Sequence, residues 1–106
     1  MNISEVIKNC TLSLAYLNDH EFILTQDYEL ALSDTNTITV DYCYVKGNDI
    51  VRIEDTYITV ERIFPNQIDD FGNYPRLSSY IVIDELADDD LLSALQTRFG
   101  LFNQID

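Results

Sequence analysis

Positive charge is what this chain lacks. Six Lys and Arg stand against nineteen Asp and Glu in 106 residues, giving a formal net charge of −13 and a pI near 4.1. A phosphate backbone or an anionic membrane surface is held through a field of Lys and Arg, so neither is expected as a direct partner. Two cysteines, Cys10 and Cys43, are too few for a disulfide scaffold of this size, and both are expected reduced and structural. The longest apolar run, Tyr80-Ile81-Val82-Ile83, is far too short to span a bilayer. The opening residues Met1-Asn2-Ile3-Ser4-Glu5 have no basic stretch followed by an apolar one, so no signal peptide and a cytoplasmic location are expected. With three glycines and two prolines, the chain contains no internal repeat or low-complexity stretch.

What is present is enough for a core. Hydrophobic residues make up 46% of the chain and aromatics 11%, which excludes a disordered tail and suits one domain spanning residues 1–106. Ile3, Val6, Ile7, Cys10, Leu14 and Leu17 recur at helical spacing, and Asn2 with Glu5 has the pattern of a capping box, predicting a helix from Ile3 to Leu17. The period then becomes two. Tyr28, Leu30 and Leu32, followed by Ile38, Val40, Tyr42 and Tyr44, predict a hairpin around Ser33-Asp34-Thr35-Asn36, with Tyr28, Tyr42 and Tyr44 facing the core. Two more strands, through Val51–Ile53 and Ile58–Val60, complete a four-strand antiparallel meander.

The segment 65–79 holds both prolines and Gly72 without a sustained period and reads as a long exposed loop. Tyr80–Ile83 then predicts a fifth, central strand. Asp88 caps a last helix in which Leu92, Leu95, Phe99 and Phe102 share a side and Gly100 marks the stop. The predicted class is α+β, a two-layer sandwich with both helices on one sheet face and the other face open. On that open face the pattern places Asp27, Glu29, Thr37, Thr39, Asp41, Cys43, Tyr57, Thr59 and Glu61, with Arg52 the nearest cation.

Chemistry is sparse. The one histidine, His20, lies in a turn, and there is no G-x-S-x-G, Walker A, G-x-G-x-x-G or C-x-x-C. No enzyme activity and no cofactor are expected. Asp69-Asp70-Phe71-Gly72-Asn73 has a superficial likeness to a calcium loop, but aligning Gly72 with its glycine puts Phe71 and Ser78 at ligand positions, so no metal is expected there. The run Asp88-Asp89-Asp90 suits the positive end of a helix dipole. Tyr and Phe are numerous, but a base-stacking platform needs a basic groove around it. Phe71 and Tyr74, in the long loop, are candidate anchors for a protein partner or a lid over the chain's own core.

The acids do not form a tail: residues 1–53 carry eight acids and three bases, and residues 54–106 eleven and three. A folded acidic surface steers toward a basic partner, most naturally a groove built for nucleic acid. The expected function is a non-enzymatic inhibitor that blocks a nucleic-acid-binding surface of another protein by charge mimicry, through Asp27, Glu29, Asp41, Glu61, Asp69, Asp70, Phe71 and Tyr74. Small phage-encoded antidefence proteins, among them anti-CRISPR and antirestriction proteins, are similar in size and acidity. The alternative rests on Tyr80-Ile81-Val82-Ile83-Asp84-Glu85-Leu86 and Asp90-Leu91-Leu92-Ser93-Ala94-Leu95. In rhythm this resembles the final strand and helix of type III secretion chaperones, although the chain has a Pro-containing loop where those proteins have a middle helix. The resemblance implies a homodimer that holds an extended effector segment.

Overall fold

A helix needs its first N–H groups satisfied, and here a residue far along the chain does it. In the computed structural model, which describes residues 9–54, 57–82 and 87–105, helix α1 spans Thr11–Asp19 and Cys10 makes no side-chain cap. The carboxylate of Asp88 instead accepts the backbone N–H of Leu12 (2.6 Å) and of Ser13 (3.0 Å), and the Ser13 hydroxyl donates to it at 2.8 Å. The predicted helix from Ile3 is corrected over the described residues: Asn9 and Cys10 are not helical, and residues 1–8 lie outside the description. The predicted cap of the last helix by Asp88 is corrected: Asp88 is itself helical, and its carboxylate serves α1. It ties the start of α1 to the start of the last helix.

The end of α1 is a Schellman motif with glutamate where glycine is usual. Phe22 N–H bonds to Leu17 O (2.9 Å) and Glu21 N–H to Asn18 O (3.1 Å), with Glu21 at φ +67. Phe22 and Leu17 are both in the core, which supplies the apolar contact that accompanies the motif.

Five strands follow: β1 (Ile23–Ala31), β2 (Thr37–Lys46), β3 (Asp49–Ile53), β4 (Tyr57–Ile63) and β5 (Arg76–Val82). They form an antiparallel meander in the order β1-β2-β3-β4-β5. Between β2 and β3 the turn is two residues, with Gly47 at φ +58 in the first position, which a type II′ hairpin reserves for glycine. Helix α2 (Asp88–Ile105) packs on α1 and on β4 and β5. It buries Leu91, Leu95, Phe99 and Phe102 against Tyr44, Val51, Ile58, Val60 and Ile81. Leu91, not Leu92, leads this face, and the helix continues through Gly100, where an added Cβ would meet nothing within 4 Å. The α+β class, with both helices on one face, is as the pattern predicts.

The other face is a correction. The distal half of the β1–β2 hairpin folds back across it, so that Leu30 and Val40 cover Cys43, Ile50 and Ile63 in a second small core. The fold-back is pinned by Tyr74 N–H on Leu32 O (2.8 Å), a bridge between Ser33 and Asn73, and the Tyr74 hydroxyl on Asp34. Strand β5 begins four residues before the predicted start and lies at an edge, not the centre, because the meander never crosses over. The segment 64–75 is correspondingly shorter than predicted, and its second half is held by the hairpin.

The Asp88 bridge makes a testable link between the helices. Burial acts to raise its pKa, and the bonds from Leu12 and Ser13 outweigh that, leaving the carboxyl below its ordinary 3.8. A depressed folded value means stability that is present above the unfolded pKa and lost as the pH falls through the folded one. Thermal unfolding should therefore lose stability below about pH 4 more steeply in the native chain than in Asp88→Ala, which should already melt several degrees lower at neutral pH. Equal acid profiles would remove Asp88 from this role.

Candidate functional site

The scarce cations are spent inside the sheet. Arg62 makes a bidentate pair with Asp49 (2.6 and 2.9 Å), beside a cleft of about 310 Å³ lined by Asn48, Phe64 and Gln67. Arg52 reaches Glu61 at 3.4 Å and Glu54 at 3.5 Å, and Arg76 stands 4.0 Å from the same Glu61 oxygen. The remaining arginine of the described residues, Arg98, donates to the Ser79 hydroxyl at 2.6 Å. Asp49 is thus half of an ion pair.

Glu61 is the main correction among the partner-binding candidates. Only 4% of it is exposed, and its Oε1 also accepts the Ser78 hydroxyl at 3.3 Å. It presents no charge to a partner. Cys43 and Thr59, placed outward by alternation, are buried as well, at 0% and 3% exposure. The cause is the folded-back hairpin for Cys43. For Thr59 it is its position between Arg52 and Tyr80 across the neighbouring strands. Burial pushes the Cys43 thiol up to about 11, with Arg52 opposing and Glu61 assisting. The Cys10 thiol is also raised, by burial and then by Asp88. Neither thiolate forms readily at neutral pH, so neither suits nucleophilic chemistry.

With three arginines paired to Asp49, Glu54 and Glu61, the exposed acids are left uncompensated. Asp27, Glu29, Asp34 and Asp41 are exposed on the hairpin and Asp69 and Asp70 on the following loop. The Tyr74–Asp34 bond and the Ser33–Asn73 bridge join hairpin tip to loop, making one continuous anionic rim. Asp27 lies opposite Asp41, between the Gln26–Tyr42 and Tyr28–Val40 pairs, and has φ +54.

Within the loop, roles divide. Asp69 accepts N–H bonds from Phe71 and Asn73, both 2.9 Å, and so shapes the loop it sits in. Asp70 makes no such bond among the described residues, and Phe71 is 89% exposed at the tip. Tyr74 is half-buried, packs against the second core and spends its hydroxyl on Asp34, which raises its pKa. It is a lid in place of an anchor. Tyr42, expected in the core, is 44% exposed, while Tyr44 is buried.

Sequence reasoning missed two things. Asp34 belongs to the rim, which only the fold-back reveals. Ile23 and Leu24, 69% and 52% exposed, begin the edge strand, where two adjacent apolar residues break the alternation and were a usable signal. Among the described residues no three His, Cys, Asp or Glu side chains gather as a metal site, and no helix is long and apolar enough to cross a membrane. No protein-family model, curated protein or solved structure matches the chain.

Proposed function

We propose that this protein is a non-enzymatic binding module that occludes a basic, nucleic-acid-binding surface of a target protein, as antidefence inhibitors of the anti-CRISPR and antirestriction type do. The observation that carries this is the division of charge. Arginines neutralise Asp49, Glu54 and Glu61, while the hairpin and loop acids stand exposed on a rim fixed by hydrogen bonds. Solubility alone asks for scattered charge of either sign, not for carboxylates aligned across one strand pair. Alternating positions on a regular strand lie about 6.6–6.8 Å apart, about twice the ~3.4 Å axial spacing of charges along one strand of duplex DNA. Phe71 at the rim is the apolar anchor.

A second reading, a dimeric chaperone-like protein holding an effector segment, draws on the free edge of β5, where Leu77–Val82 carries no charge and Tyr80 and Val82 are both 64% exposed. One experiment separates the two. The tagged chain is recovered from its native host with its partner, the complex is sized, and the partner's nucleic acid is titrated in. Occlusion predicts a partner whose DNA or RNA is displaced by the chain, less so as salt rises. A dimer bound to a protein without nucleic-acid affinity, insensitive to salt, would reject occlusion in favour of the second reading.

A further inference from the structure

Among the described residues the sheet has two edges without a neighbouring strand, and β1 is the one flanked by described acids. Among the described residues strand β1 has no outer neighbour. Its first residues, Ile23–Gln26, pair inward with Tyr42–Val45, and among the described residues their outer side meets no other strand, although the Thr25 hydroxyl donates to Ile23 O at 3.3 Å. Ile23 and Leu24 point to opposite faces, so the edge offers an apolar step on each. Glu21 precedes this stretch and Asp27 and Glu29 follow it, all exposed, with Asp41 across the ladder. The one described cation of the hairpin, Lys46, lies beyond the Ile23–Val45 pair.

We propose that Ile23–Gln26 takes up an extended segment of the partner, with basic and apolar residues in alternation, as a sixth strand. Main-chain bonds along the edge would supply affinity and the flanking acids selectivity, the usual division of labour in strand addition. The positive φ of Asp27 interrupts the regular edge there, which limits pairing to about four residues. A second copy of this chain is a poor occupant, since pairing β1 with itself would set Glu21, Asp27 and Glu29 against one another. The described β5 edge carries no acid from Arg76 to Val82 and begins on a cation, so it offers a basic segment less than β1 does.

The inference rests on the occlusion reading for the basic nature of the partner, but it can fail separately. The probe is a capped peptide of alternating Lys and Val, added to the full chain, with amide hydrogen exchange read by NMR. The edge amides within Ile23–Gln26 should slow at least tenfold. N-methylation of alternate peptide nitrogens should weaken binding at least tenfold, and replacement of Lys by Glu should abolish it. Equal binding by the methylated peptide, no binding at all, or protection on β5 alone would overturn strand addition. If the chain still displaced nucleic acid from its target in that case, occlusion would stand without it; peptide addition to β1 with no displacement would leave the edge site and remove occlusion.

Discussion

Replacing Arg52 by methionine is expected to destabilise the fold by about 2–4 kcal/mol, a little under the usual cost of breaking a buried ion pair because Arg52 keeps some contact with water. The substitution strands Glu61, 5% exposed in its side chain, with only Ser78 at 3.3 Å and Arg76 at 4.0 Å to hold its charge. Among the described residues neither Glu61 Oε2 nor Arg52 Nε, both buried, has a hydrogen-bond partner, so within them the pair is incompletely satisfied even when intact. An incompletely satisfied buried pair does less well than an apolar one of the same size. The double variant Arg52→Met with Glu61→Leu should therefore recover most of the loss, and urea denaturation of both singles and the double closes the cycle. Additive losses would mean that the two side chains act on stability independently.

Such a pair was not legible in the alternation of β4, and the reason is physical. Period two reports which residues share a face, not whether that face is wet. Tyr57, Thr59 and Glu61 do share the face opposite the helices, as their pairing with Val82, Tyr80 and Ser78 shows. What covers Cys43, Ile50 and Ile63 on that face is the distal hairpin, which depends on contacts between Asp34 and Tyr74, forty positions apart. The meander itself could be read because its turns are short and local: Gly47 fixes one and Ser33 another, its hydroxyl accepting the N–H groups of Thr35 and Asn36. Gly100 misled for the opposite reason. Glycine ends a helix only where the next residues have no core to reach, and Phe102 is buried on the same side as Phe99. Of the rim, the strand acids followed from period alone, but which loop acid is free and which shapes the loop needed the hydrogen bonds of Asp69.

That distinction decides how the rim is to be tested. Reversing Asp69 would remove its bonds to Phe71 and Asn73 N–H and disturb the loop, so a loss of function there would say nothing about charge. Glu29, Asp41 and Asp70 are exposed and make no hydrogen bond or ion pair with another described residue. Changing all three to Lys adds two units each and raises the net charge from −13 to −7. All three positions are exposed, so the thermal midpoint should hold. If the rim steers a basic target, the triple variant should associate about 100-fold more slowly at low salt, and the difference should shrink as the screening length falls to a few ångströms toward about 1 M salt. Dissociation should change less, because rim charges act mainly on encounter. An unchanged association rate in a folded triple variant would remove the acids from recognition and leave Phe71 and the free strand edges as the surfaces that remain to bind.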